Sequence, residues 1–153
     1  MKNMTLQAKS CSILLCALLL FAAGCKDKNA PESLNGNVAR PTWTAIEVPD
    51  MTSSMTAVIK VANLNGQIVN DSIVNEDDLL AAFSGETCLG TAQPQDGLFY
   101  LFVAGINNDP VTLRYYSAHY KNLFEAKDAF PFVNDDHLGT VAEPFIPTFV
   151  VVK

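Results

Sequence analysis

Few side chains in this chain combine into a group that could perform covalent chemistry. Cys88 is the one cysteine beyond position 25, and the chain's two histidines, His119 and His137, are the bases it could use. A thiol becomes a nucleophile only where a base or a positive field favours the thiolate. Because Leu89 and an apolar segment adjoin Cys88, we predict a buried, unreactive thiol, with a Cys88–His119 or Cys88–His137 pair as the alternative.

Acidic side chains offer a second kind of chemistry, because they gather in loops together with asparagines. Oxygen-rich loops can bind calcium, and two carboxylates across a cleft can hydrolyse a glycoside. No segment matches a twelve-residue EF-hand loop, and Asp and Asn favour turns for backbone reasons alone. We therefore predict no catalytic residue and no cofactor, and retain structural calcium as an alternative. The weak calcium candidates are Asp71, Asp77, Asp78, Asp135 and Asp136.

Aromatic residues are the remaining candidates for ligand contact. Trp43 is the chain's single tryptophan, and Tyr116 and Tyr120 follow an alternating segment that begins at Val111. Exposed aromatic rings stack on sugars or anchor protein partners. We treat these three residues as ligand-binding candidates, with packing in a sheet as the alternative interpretation.

The first 25 residues have the pattern of an export signal. Lys2 and Lys9 precede an apolar run over 13–23, and small residues precede Cys25. The run is too short for a comfortable transmembrane helix. The segment 21–25 resembles the bacterial lipobox, although Ala22 stands where leucine is commoner. That resemblance implies cleavage after Gly24 and lipidation of Cys25, with an unlipidated secreted product as the alternative.

Cleavage after Gly24 would change the balance of the 153-residue chain. It would leave 129 residues and move the formal net charge from −6 to −8. An acidic surface repels phosphate, which argues against a nucleic-acid partner. Only Cys88 would keep a free thiol, so the fold would have no intramolecular disulfide. We divide the chain into a signal peptide at 1–24, a lipidated flexible tether at 25–41 and a folded domain at 42–153.

From residue 42 onward, the hydrophobic pattern repeats every two residues. Short strands are predicted over 43–48, 55–62, 79–83, 87–92, 98–103 and 111–116, with late strands over 124–132 and 146–152. Turns are expected at 65–66, 84–86, 95–97 and 107–110. The run 98–103 is apolar at every position, which predicts a strand buried on both faces. Residues 75–78 could begin a helix, but we favour a turn there.

This pattern predicts an all-β fold, specifically a two-sheet antiparallel β-sandwich of Ig-like or jelly-roll-like type. Residues 78–92 read DLLAAFSGETCLGTA, and residues 138–145 read LGTVAEPF. With 54–58 and 111–117, they resemble a β-sandwich module of exported Bacteroidetes cell-surface proteins. Leu89 departs from the basic residue expected there. The resemblance implies a non-catalytic accessory or repeated unit.

The sequence therefore predicts a lipoprotein of the outer membrane, with its folded domain facing the periplasm or the cell surface. The leading hypothesis is a binding or accessory module that contacts a protein partner of the cell envelope. The alternatives are a module that binds glycans and, less favoured, a hydrolase without a recognisable motif.

Overall fold

Alternating apolar residues form most of the strands, as the twofold periodicity predicts. The computed structural model describes residues 33–47, 53–105 and 109–152. All of them belong to one unit, Pro31–Lys153, whereas the predicted signal peptide and Cys25 lie outside the described residues. The strands are β1 Ser54–Ile59, β2 Asn63–Leu64, β3 Gln67–Ile68, β4 Leu79–Ser84, β5 Thr87–Ala92, β6 Pro94–Gln95, β7 Leu98–Ala104, β8 Pro110–Ser117, β9 Asn122–Ala126, β10 Phe130–Pro131, β11 His137–Leu138 and β12 Thr148–Val151.

These strands form two sheets that pack against each other as a β-sandwich. The small sheet has the order β11-β1-β7-β6. The large sheet has the order β3-β2-β12-β9-β8-β4-β5, and β10 pairs with β8. Most neighbours are antiparallel, as predicted, but β1 with β11 and β2 with β12 are parallel. The all-β sandwich prediction is therefore confirmed, with two parallel pairs that the sequence pattern did not reveal.

The core lies between the sheets and is centred on one aromatic side chain. Tyr115 of β8 is fully buried, and its ring lies 5.8 Å from Phe99, 6.0 Å from Phe124 and 5.6 Å from Phe149 between centroids. Inward residues of both sheets, such as Leu101, complete this layer. Strands from both sheets therefore converge on one core, as a sandwich requires.

The strand buried on both faces is β4, and the prediction that assigned this property to 98–103 is wrong. Leu79 to Phe83 are all buried, with Leu80 and Ala82 facing the shared core. In β7, by contrast, burial alternates, so that Tyr100 and Phe102 are exposed between buried neighbours. An apolar residue at every position shows that two faces can be covered, but not that both are.

The second cover of β4 is the segment 33–47, which we name the strap. Leu34 is buried, and Gly36 and Val38 each donate a backbone hydrogen bond to the turn after β8. Trp43 packs edge-on against Phe83, with 5.5 Å between ring centroids. Residues 33–41 were predicted to be flexible tether, and 43–47 part of a strand. The structure instead buries Leu34, attaches 36–40 to the domain through hydrogen bonds while leaving them exposed, and assigns no strand to 43–47.

Two turns follow the sequence predictions, and one glycine allows a close approach between the sheets. Asn65 and Gly66 both have positive φ, 52° and 78°, which suits the tight hairpin between β2 and β3. A turn at Glu76 and Asp77 leads into β4, so the helix alternative at 75–78 is not adopted. Gly90 brings β5 against β7, because an added Cβ would lie 2.0 Å from the carbonyl oxygen of Phe102.

Candidate binding surface

The outer face of the small sheet carries two exposed aromatic rings on one strand. Tyr100 is 43% exposed and Phe102 is 49% exposed, although Phe99, Leu101 and Val103 between and beside them are buried. Side chains two residues apart on a strand share a face and lie about 7 Å apart. The two rings therefore form a short aromatic row on the surface of β7.

Strand β1 extends this row sideways. Thr56 pairs with Phe102, and Val58 pairs with Tyr100, so all four side chains share the outward face. Thr56 also pairs with His137 of β11, and Thr56 Oγ1 and His137 Nδ1 share a 2.6 Å hydrogen bond. We name the five residues Thr56, Val58, Tyr100, Phe102 and His137 the aromatic face. It combines ring surfaces with a hydroxyl and an imidazole at one side.

The ligand-binding candidates Trp43, Tyr116 and Tyr120 do not form a comparable surface. Tyr116 is only 6% exposed, so the prediction that its ring can contact a ligand is wrong. Trp43 is half-buried against Phe83. Tyr120 is half-buried, and its ring packs against His119 and Phe124 at 4.7 Å and 6.4 Å. Both rings remain partly accessible. Trp43 mainly packs the strap on β4, and Tyr120 mainly packs the turn after β8.

The sequence interpretation missed the aromatic face for a physical reason. Because every residue of 98–103 is apolar, the pattern indicated two buried faces and drew attention away from Tyr100 and Phe102. A sequence signal did exist, since Thr56 is polar at the β1 position that pairs with Phe102. A polar partner at that position predicts that the shared face is open to solvent.

The outer face of the large sheet is instead covered where β4 and β5 lie. Ala81, Phe83 and Cys88 form a buried cluster under Trp43. The Arg114 guanidinium lies 4.4 Å from the centre of the Phe83 ring. It also forms salt bridges with Glu86 and Glu125, each at 2.9 Å. The apolar residues of β4 and β5 in this cluster therefore have partners within the described chain.

Cys88 is buried in that cluster, as predicted. Its thiol donates a weak hydrogen bond to the carbonyl oxygen of Gly90 at 3.6 Å. Burial raises the pKa of the Cys88 thiol, which disfavours the nucleophilic thiolate. His137 lies in the other sheet, on the aromatic face, and the ring of His119 packs against Tyr120. In these contacts, neither histidine is a partner of the Cys88 thiol.

Among the acids that the structure describes, Asp78 is the one that is completely buried. Its Oδ2 accepts a 2.6 Å hydrogen bond from the Tyr115 hydroxyl, and its Oδ1 accepts one from Ala118 N at 2.8 Å. Asn75 N also donates to Oδ2, at 3.3 Å. Desolvation raises the pKa of the Asp78 carboxyl, and these hydrogen bonds oppose that shift. Burial likewise raises the pKa of the Tyr115 hydroxyl.

Asp78 is therefore a structural acceptor, and the three hydrogen bonds that its oxygens already accept do not favour it as a calcium ligand. Of the other candidates, Asp71 pairs with Lys60 at 3.0 Å, and Asp136 accepts a hydrogen bond from His137 N. Asp77 and Asp135 are exposed turn residues. Within residues 33–47, 53–105 and 109–152, no three His, Cys, Asp or Glu side chains are grouped to bind a metal ion.

Comparison with known protein families, with curated proteins and with solved structures finds no match to this chain. In the described part of the chain, no helix has the length and apolarity needed to cross a bilayer. The class that the fold defines is an all-β sandwich domain whose large sheet is covered on its outer face at β4 and whose small sheet exposes aromatic rings on its outer face.

Proposed function

We propose that this chain is an exported, lipid-anchored, non-catalytic binding module whose aromatic face contacts a protein partner of the cell envelope. The lipobox-like residues before Cys25 support the anchor. The observation that carries the binding role is the exposure of Tyr100 and Phe102 side by side on a regular strand.

Exposed rings on a sheet are a source of binding free energy. Fully burying a side chain the size of phenylalanine stabilises a complex by about 1.5–3 kcal/mol. Aromatic residues are enriched in the anchoring centres of protein interfaces, where a polar rim surrounds them. On the aromatic face, Thr56 and His137 supply polar groups beside the rings. This arrangement fits a protein partner that presents an apolar patch.

A glycan is the second candidate ligand, and one observation favours it. Tyr100 and Phe102 follow each other along one strand face, a spacing that lets successive sugar rings stack on successive aromatic rings. Thr56 and His137 stand beside them as hydrogen-bonding groups. The same surface is therefore the binding site in both hypotheses. Tyr116 is not part of it, because its ring is buried.

The test is photo-crosslinking in living cells. A photoreactive phenylalanine analogue replaces Phe102 in one strain and Ile68, an 82% exposed residue of edge strand β3, in a matched control strain. We expect one recurrent protein adduct from position 102 and none from position 68. The protein-binding proposal is overturned if position 102 gives no adduct beyond that of position 68.

The glycan alternative is tested with purified protein and a panel of polysaccharides in affinity electrophoresis. The polysaccharide that retards the wild-type protein should retard Ile68→Ala equally but should not retard Tyr100→Ala or Phe102→Ala. This result would show that the ligand of the aromatic face is a glycan rather than a protein. The anchor is tested separately by labelling cells with an alkyne fatty acid. Label should enter the wild-type protein but not Cys25→Ser, and equal labelling of both would contradict lipidation at Cys25.

A further inference from the structure

The strap begins at one particular end of the sandwich. Leu34, its first buried residue, accepts a 3.0 Å hydrogen bond at its carbonyl oxygen from Asn122 Nδ2. Gly36 N donates to the carbonyl oxygen of Tyr120, and Val38 N donates to that of Lys121, each at 2.9 Å. All three contacts lie at the turn 117–122, which joins β8 to β9.

The strap then follows β4 toward the opposite end. Arg40 Nε donates to the carbonyl oxygen of Asp77, just before β4, at 2.8 Å. Trp43 reaches Phe83 near the end of β4, and Ile46 N donates to the carbonyl oxygen of Cys88 at 2.9 Å. A strand of six residues spans about 20 Å. The strap therefore enters at the turn 117–122 and ends near the turn 84–87, about 20 Å away.

Chain length limits how far the anchor lies from the start of the strap. Eight residues, 26–33, separate Cys25 from Leu34. Whatever their conformation, they cannot span more than about 30 Å, and a flexible chain of this length averages about 15–18 Å. The whole predicted tether, 25–41, would have allowed roughly twice that reach. Docking of 34–41 on the domain removes this freedom.

We infer that the turn 117–122 is the end of the sandwich that faces the membrane, and that the turn 84–87 points away from it. This inference rests on the proposed lipidation of Cys25. The average reach of the tether, which is shorter than the distance between the two turns, carries this inference. Charge does not carry it, because Ala118 of this turn donates a hydrogen bond to Asp78, which follows the exposed acids Glu76 and Asp77. The inference thus predicts which end of the sandwich lies nearest the bilayer, namely the end that carries the turn after β8.

The experiment measures energy transfer to the bilayer. The mature lipidated protein, which begins at Cys25, is reconstituted in phosphatidylcholine vesicles that carry a small fraction of acceptor-labelled headgroups. A fluorescent amino acid replaces either Lys121 or Thr87, both of which are exposed. We expect markedly stronger transfer from position 121 than from position 87. Equal transfer, or stronger transfer from position 87, overturns the inference.

Two variants show whether the docked strap causes the difference. Gly36→Val should undock the start of the strap, since an added Cβ would lie 2.7 Å from Asn122 Cγ and 2.9 Å from the carbonyl oxygen of Lys121. Asn35→Ala, at an exposed neighbour, is the matched control. An insertion of sixteen Gly/Ser residues before Ser33 lengthens the tether without touching the strap. Gly36→Val and the insertion should both reduce the difference, and Asn35→Ala should preserve it; an undiminished difference in the insertion variant contradicts the inference.

Lipidation itself is tested separately, by asking whether the protein floats with the vesicles before any energy transfer is measured. If the cell-derived protein does not float, the proposed lipidation is wrong. The orientation is then measured on protein joined to the bilayer through a maleimide lipid at Cys25. Stronger transfer from position 121 would support the inferred geometry even in that case, and equal transfer would reject it.

Discussion

The two outer faces of the sandwich are built from similar residues but end in opposite states. On the large sheet, Ala81 and Phe83 are buried under the strap. On the small sheet, Tyr100 and Phe102 are about half exposed. Strands β4 and β7 are both apolar on both faces, so the difference arises from what covers them. A run that is apolar throughout therefore does not show that both faces are buried: β4 receives its second cover from a distant segment, whereas the outer face of β7 has none among the described residues.

The largest expected effect separates the two faces by stability. Phe83→Ala should lower the free energy of unfolding by about 3–5 kcal/mol, because it removes a buried ring from between Trp43 and Arg114. Phe102→Ala should lower it by no more than about 1.5 kcal/mol, because about half of this ring is already exposed to solvent. Urea denaturation of both variants measures the contrast. Equal losses would mean that the two faces do not differ in the way described.

Deleting one contact of the strap should have the next largest effect. Leu34→Ala should cost about 2 kcal/mol, because the side chain is buried where the strap meets the turn after β8. Val38→Ala, at a position that is 41% exposed, is the control and should cost less than about 0.5 kcal/mol. Denaturant midpoints of the two variants provide the test. If Leu34→Ala is as stable as Val38→Ala, the strap does not contribute to the fold.

The sequence predicted the strands better than their environments, and the strap explains why. Local alternation located strands such as β4, β5 and β8, and the Asn65–Gly66 turn, because twofold periodicity and turn chemistry are local properties. Which faces are buried depends on contacts between distant positions, such as Leu34 with Asn122. Residues 33–41 have the composition of a tether, and nothing local shows that they dock.

The candidate binding residues were misplaced for the same reason. Tyr116 alternates as an exposed residue should, but the outer face of the large sheet is covered there. Tyr100 belongs to a run that suggests burial, but its face remains open. A more reliable signal comes from the pairing partner, since Thr56 is polar beside Phe102. That signal is available only once the register of β1 and β7 is known.

A third prediction concerns the carboxyl that fixes the start of β4. Asp78→Asn should cost about 1–3 kcal/mol, because an amide cannot accept hydrogen bonds at both positions and leaves a buried donor without its acceptor. Burial raises the pKa of Asp78 above its ordinary value of 3.8. The folded state therefore holds this proton more tightly than the unfolded chain does. The stabilisation from protonated Asp78 is complete below pH 3.8 and is lost as the pH rises through the folded-state pKa.

The measurement is the stability difference between wild type and Asp78→Asn, from urea denaturation at several pH values between 3.5 and 7. This difference should shrink as the pH rises. Asp96→Asn, in the exposed turn before β7, removes one carboxylate from the surface and serves as the control. A difference that grows with pH would show that the hydrogen bonds from Tyr115 and Ala118 outweigh desolvation at this carboxyl.

The smallest effect should come from the charged edge of the covered face. Arg114 packs over Phe83 while it pairs with Glu86 and Glu125, so Arg114→Met retains much of the side-chain stem but removes the ion pairs. Surface ion pairs contribute little and are screened by salt, so the variant should lose less stability than Asp78→Asn, with part of the loss disappearing in 1 M NaCl. Lys60→Met removes the exposed pair with Asp71 and should have a still smaller effect. If Arg114→Met and Lys60→Met lose the same stability at every salt concentration, Arg114 acts only as a surface charge, and the closure of the large-sheet face depends on the strap alone.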